Sequence, residues 1–269
     1  MNLKKTFNIL QRISPKITAS IAFSFISKPK KKKIRVFEKS IMELATASTI
    51  RFKKFNIRTY NWGNGNKNVL LVHGWGGRAS NYGAIIPELI NNGYNVISFD
   101  GPCHGESTKK KTNFFEMSDL VKLFLQKDKY DLIITHSMGT VLTFTAMSSL
   151  KYEVNQMIIL TTPNQFLEFI DLAVIQFGLT DQTTKLLIKK TTKKYDPITL
   201  KVSNIIKDIK MKDVTLIHDK FDKVIPIEKS KTVSSLIKNS KFIEIHDTGH
   251  FKMLWSEKVV QIIKQLTLN

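Results

Sequence analysis

Cysteine is nearly missing from this chain. Cys103 stands alone, so no intrachain disulfide can form, and a reducing compartment such as the cytoplasm is the expected setting. Acidic residues are also scarce, with 22 Asp and Glu against 42 Lys and Arg for a net charge of +20. The excess is uneven. Residues 1–55 hold 14 Lys and Arg and only two acids, Glu38 and Glu43, which is +12 and leaves +8 for the remainder. Long apolar runs are absent. The best candidate, residues 17–27 (ITASIAFSFIS), has eleven residues, and a membrane-spanning helix needs roughly 20. Lys28, Pro29 and the lysines at 30–33 follow it, which makes a poor signal-peptide cleavage site. Histidine–carboxylate clusters with metal-ligand spacing are lacking, so neither a metal nor another cofactor is expected. No aromatic residue interrupts the lysines at 30–33, so stacking on nucleic acid is not expected either.

What is present is a chain of 269 residues, 42% of them apolar, enough for one α/β domain with a substantial core. Residues 1–50 read as a basic N-terminal arm. Its apolar run forms a short helix that either packs on the body or lies on a membrane surface. The second reading gives reversible contact with anionic lipid through residues 1–33. From residue 51 onward, short apolar runs alternate with amphipathic stretches. Residues 56–61 read as an edge strand. Residues 69–73, 95–100, 131–135 and 156–160 read as strands, with helices over 84–90, 114–125 and 139–150. Continuous apolar strands separated by helices define a doubly wound, mostly parallel sheet covered on both faces. The rhythm breaks at about residues 163–211. There Phe166, Phe169, Ile170, Val174 and Phe177 show helical spacing, and a basic stretch follows over 185–194. It returns with segments 214–218, 229–237, 242–245 and 255–266. The 163–211 segment is the expected helical cap, set into an α/β domain of residues 51–269; ordinary crossover helices are the alternative.

Active sites of open α/β sheets lie at the carboxyl ends of the strands. His73-Gly74-Trp75-Gly76-Gly77 follows the first buried strand, and His136-Ser137-Met138-Gly139 follows a later one. A serine between strand and helix, with Gly139 two residues on, suits a tight turn that lifts a nucleophilic hydroxyl clear of the backbone. The alternative is a serine that merely caps the helix. A serine needs a histidine to take its proton, and the histidine needs an acid to orient it. Asp222 and His250 follow Ser137 in that order, each after a predicted strand. Asp219 is a rival acid and His246 a rival base. The glycine-rich loop could cradle a phosphate, but it lacks G-x-G-x-x-G spacing and a Walker lysine. It suits an oxyanion hole built from the N–H groups of Trp75 and Met138. His73, Gly74, Gly76 and His136 are the expected pocket-loop residues.

Taken together, VLLVHGWGG, NVISFDGPCHGES, THSMGT, HDKFDKVIP and DTGHF resemble the α/β-hydrolase superfamily in its lipase/esterase and serine-aminopeptidase-like branch. The resemblance runs from about residue 55 to the end. It implies the α/β-hydrolase fold and a triad of Ser137, Asp222 and His250, with Asp100, His104 and Gly105 shaping a loop beside the pocket. The motifs are specific for fold and triad and do not identify a substrate; the leading expectation is a hydrolase of carboxylic esters with a small or lipid-like acyl substrate. Thioesterase, aminopeptidase and acyltransferase are the neighbouring activities, and a non-catalytic binding protein is the alternative class. Two residues depart from the pattern: Thr135, where a small residue is usual, and Asp219, where a glycine is common.

Overall fold

The computed structural model describes residues 3–30, 33–108, 110–192 and 196–268. Lys31 and Lys32 of the arm, and Lys193 and Lys194 of the basic stretch, lie outside the described residues. The arm supplies helices α1 (Leu3–Ile13), α2 (Pro15–Ile26) and α3 (Val36–Glu43). Ser14 separates the first two and caps the second, its hydroxyl accepting from the Ile17 N–H at 3.3 Å, with Pro15 in the first turn.

Eight described strands form one sheet in the order β1-β2-β4-β3-β5-β6-β7-β8. They are β1 (Thr46–Phe52), β2 (Phe55–Trp62), β3 (Lys67–Val72), β4 (Tyr94–Phe99), β5 (Leu132–His136), β6 (Glu153–Leu160), β7 (Lys210–Asp219) and β8 (Lys241–Ile245). The first two pairings, β1 with β2 and β2 with β4, are antiparallel, and the rest are parallel. The helices between and after the strands are α4 (Ile86–Asn91), α5 (Phe114–Lys127), α6 (Met138–Leu150), α7 (Leu167–Phe177), α8 (Asp181–Thr191), α9 (Val202–Ile205), α10 (Ile227–Leu236), α11 (Gly249–Lys252) and α12 (Glu257–Thr267).

Successive residues of each central strand feed opposite cores, as the strand period requires. Leu70, Val72, Ile133, Ile159 and Leu216 join the core on one face, and Val69, Leu71, Leu132, Ile134 and Ile217 join the other. Both faces are buried, so the sequence shows continuous apolar runs rather than alternation.

Two readings of the sequence need correction. The segment at 56–61 is not the edge of the sheet: β1 lies outside β2. Every residue of β1 except Phe52 is at least partly exposed, so TASTIRF carries little apolar signal. This strand also begins at Thr46, inside the segment read as the arm.

Between β6 and β7 the chain runs through α7, α8, α9 and two short 3-10 turns, Pro197–Leu200 and Ile206–Asp208. The only strand-like feature among its described residues is a bridge between Gln165 and Lys201. The arm packs on this helical segment. Phe7 of α1 stacks on Phe177 at 4.5 Å between ring centroids, and Phe25 of α2 meets Phe177 edge-on at 5.8 Å. Gln11 fixes the register, donating to the Gly178 carbonyl at 2.9 Å and accepting from the Thr180 N–H at 2.8 Å. Ala19 and Ala22 are buried on α2, which packs along α8. No described helix is long and apolar enough to cross a membrane.

Candidate active site

Ser137 sits between β5 and α6 with φ 57° and ψ −130°. A non-glycine residue rarely adopts such a backbone, and it persists only where its surroundings enforce it. The Ser137 N–H donates to the Leu160 and Thr161 carbonyls at 3.1 and 2.9 Å, which pins the turn to the end of β6. Close packing around the turn sets two glycines. A Cβ on Gly139 would lie 2.5 Å from the Val72 carbonyl oxygen. A Cβ on Gly74 would lie 2.9 Å from the His136 carbonyl oxygen and 3.0 Å from the Ser137 Cβ. The loop after β3 therefore approaches the turn backbone to backbone. The same Cβ on Gly74 would be 3.5 Å from the Met138 nitrogen, so Trp75 and Met138 belong to the two segments that meet here. Met138 opens α6, and the first N–H groups of a helix have no intrahelical acceptor. Thr135 is accommodated: it is fully buried, and its hydroxyl pairs with that of Thr140 at 2.8 Å.

Asp222 and His250 meet at the same edge. The Asp222 Oδ2 lies 2.8 Å from the His250 Nδ1. Its Oδ1 accepts from the N–H groups of Val224 and Ile225 at 2.7 and 2.9 Å. Burial alone would raise the Asp222 pKa. The bond and charge of His250, with these two amides, hold it below the usual carboxylate range.

Asp219 makes no such contact with His250. Its Oδ2 accepts from the N–H and hydroxyl of Thr248 at 2.6 and 2.8 Å, and its Oδ1 from the Phe221 N–H at 2.8 Å. Burial opposes its ionisation, but these donors outweigh burial and lower its pKa. It fastens the loop that carries His250. The His246 ring lies tilted against that of Phe221, with centroids 5.9 Å apart, and does not line the cavity that holds Ser137 and His250.

Burial disfavours the charged form of three other histidines nearby. Burial, then the neighbouring His250, drives the His136 pKa down to about 3, and burial also lowers those of His73 and His218. The His136 Nε2 is 2.9 Å from the His250 carbonyl oxygen and, as the donor of that pair, supports the loop. The His73 Nε2 accepts from the Gly101 N–H at 2.9 Å. Asp100 accepts from the N–H groups of Ala79 and Glu106 at 2.9 and 2.7 Å, tying the loops after β3 and β4 together.

Sequence reasoning passed over two groups at this site. Thr161 follows β6, with φ 52°, and its hydroxyl donates to the Asp222 Oδ2 at 3.2 Å. Inspecting the end of β6 along with the other strand ends would have found it. Glu38 of α3 is buried beside the loop after β3. It accepts from Arg35 at 2.8 Å and from the Asn81 amide at 3.0 Å, and Asn81 in turn accepts from the Arg78 N–H at 2.9 Å. Burial pushes the Glu38 carboxyl up, but its hydrogen bonds and the Arg35 charge bring it below its ordinary value. Nothing in the spacing of the arm marks this glutamate.

Ser137, His250, His73, Gly74, Trp75, Gly76 and His136 all line one cavity of about 280 Å³, to which Arg35 and Glu38 of the arm also contribute. Among the described residues, no group of three or more His, Cys, Asp or Glu could hold a metal ion.

The family model of the alpha/beta hydrolase fold matches residues 67–194. No curated protein sequence matches the chain. Solved structures do. An esterase of Pyrococcus furiosus is 19% identical, with a TM-score of 0.64, over 89% of this chain and 95% of that one. A bromoperoxidase of Bacillus anthracis is 17% identical, with a TM-score of 0.64, over 83% and 99%. A bacterial membrane phospholipase A is 14% identical, with a TM-score of 0.63, over 97% and 95%. The chain is an α/β-hydrolase-fold protein. The differing activities of these relatives show why the fold does not set the reaction.

Proposed function

We propose that the chain is a serine hydrolase that cleaves carboxylic esters of small or lipid-like acyl substrates through an acyl-enzyme. The observation that carries the reading is the 2.8 Å pairing of Asp222 with the His250 Nδ1, in one cavity with a serine held at φ 57°. With Nδ1 facing the carboxylate, the His250 Nε2 is the nitrogen left for the Ser137 hydroxyl. As the Ser137 oxygen attacks the ester carbonyl, His250 takes its proton, and Asp222 steadies the resulting imidazolium. The carbonyl oxygen becomes an oxyanion, stabilised by the N–H groups of Trp75 and Met138. The C–O bond to the alcohol then breaks, and His250 returns the proton to the leaving oxygen. Water, deprotonated by the same histidine, attacks the acyl-Ser137 ester and releases the acid.

Ester substrates with an apolar acyl part are favoured by the helical segment after β6. Its Phe169 ring lies 4.9 Å from that of Trp75, which places apolar surface against the oxyanion loop. A cytoplasmic location suits the single, buried thiol of Cys103. Ile9, Ile13 and Ile17 are exposed on the arm beside the exposed Lys5, Arg12 and Lys16, a combination suited to weak, salt-screened contact with anionic lipid.

The test is covalent labelling. A fluorophosphonate should modify the protein at Ser137, and p-nitrophenyl butyrate should be hydrolysed. Labelling that persists in Ser137→Ala would refute the assignment.

A further inference from the structure

A second space adjoins the Ser137 cavity. It has a volume of about 530 Å³, within the range of small-molecule sites. One wall is the end of α2, with Phe25 and Ile26. The other is α7, with Leu172 and Ala173. Trp75, Gly76 and Phe251 line this groove and the Ser137 cavity alike, so the two spaces share a boundary. The Ser137 cavity alone, at about 280 Å³, is small for an ester with a long acyl chain.

Three large apolar side chains around the groove remain open to solvent: Phe25 at 47%, Leu172 at 46% and Phe251 at 54%. Such clustering of exposed apolar surface at one place marks a binding site. Among the described residues, no acidic residue lines the groove, and its charged lining residues are Lys28 and Lys30. The α2 wall is fixed in place, since Phe25 and Phe7 both pack on Phe177 of α7.

We infer that this groove holds the acyl chain of the ester, with α2 of the N-terminal arm as its specificity-determining wall. The inference rests on the reading of Ser137 as the ester-cleaving nucleophile. The continuity of the groove with the Ser137 cavity selects the occupant: a chain attached to the scissile carbonyl at Ser137 passes Trp75 and Gly76 and enters between Phe25 and Leu172. A residue of the arm, far from the catalytic motifs in sequence, thereby sets chain-length preference.

Ser24 and Gln176 also line the groove, on opposite walls, and neither is buried. Ser24→Trp and Gln176→Trp therefore fill it without disturbing the core. For the full-length protein, kcat/KM is measured on p-nitrophenyl acetate, butyrate, octanoate and decanoate. Dodecanoate binding is measured separately by calorimetry. Each methylene buried is worth about 0.8 kcal/mol, so the unaltered protein should gain up to about fourfold per methylene beyond butyrate. Each tryptophan variant should keep its acetate rate within about twofold, lose at least tenfold on decanoate, and bind dodecanoate at least tenfold more weakly. Chain-length profiles and dodecanoate affinities that match the unaltered protein in both variants would overturn the inference. If no ester is cleaved but dodecanoate binding weakens in both variants, the groove stands and the esterase reading fails.

Discussion

His136 offers a measurement of the electrostatics around the active site. Its imidazole is buried under the His250 loop, and its pKa falls from 6.5 to about 3. In the unfolded chain it titrates near 6.5. The sign follows from proton counts. At pH 8 both states carry the neutral ring, so His136 adds no pH dependence. Below 6.5 the unfolded chain takes up a proton that the native protein refuses, so native stability falls as pH drops from 6.5 toward 3. At pH 5 the penalty from this residue is about 2 kcal/mol relative to pH 8. His136→Gln removes the titration while leaving an amide to donate to the His250 carbonyl. His73 and His218 behave alike in both proteins and cancel. Thermal unfolding is followed at pH 8 and pH 5 for the two proteins. The unaltered protein should lose about 4–8 °C more in Tm between those values than His136→Gln, at 2–4 °C per kcal/mol for a protein of this size. Equal losses would show that the native ring accepts its proton at an ordinary pH, and the neutral assignment would be wrong.

Two further tests follow from the same site and from the arm. Asp222→Asn should lower kcat on a short ester on the order of 10³–10⁴-fold with little change in Tm, because His250 loses the group that fixes its tautomer. Asp219→Asn should do the reverse, costing roughly 1–3 kcal/mol of stability through lost bonds to Thr248 and Phe221 while kcat falls less than about tenfold; stopped-flow kinetics and thermal melts on both variants decide it, and a reversed ranking would exchange the two roles. In liposome flotation, the protein should bind anionic vesicles at low salt and release them on raising the salt, and absence of binding at low salt would leave α1 and α2 with a packing role alone.

The central strands were legible because both faces of the sheet are buried, which leaves unbroken apolar runs such as VLLV and LIIT. The strand ends were legible for a related reason, since glycines and polar residues gather where backbone must approach backbone, as at Gly74 and Gly139. The outer strand β1 was not. It buries one side chain, Phe52, and its polar residues follow the demands of solvent. Asp219 could not be interpreted from sequence, since its role is a bond to a loop 29 residues further on. Glu38 escaped notice because its partners, Arg35 and Asn81, come together only when α3 docks beside the loop after β3. The apolar run at 17–27 showed a helix but not its partner. That partner is α8, more than 150 residues away, and side-chain periodicity carries no information about such distances.

That separation has a consequence for the order in which the molecule is made. Gln11 waits for a carbonyl 167 residues downstream, and Phe7 waits for Phe177. At 5–20 residues per second, synthesis of the intervening chain takes about 10–30 s. For that interval α1 and α2 have no docking surface, and their apolar side chains are open to whatever they meet. The β3–β5 region is made meanwhile. The α2 wall of the groove is therefore made well before the helices it packs on, and it can take its place only after α7 and α8 have been synthesised.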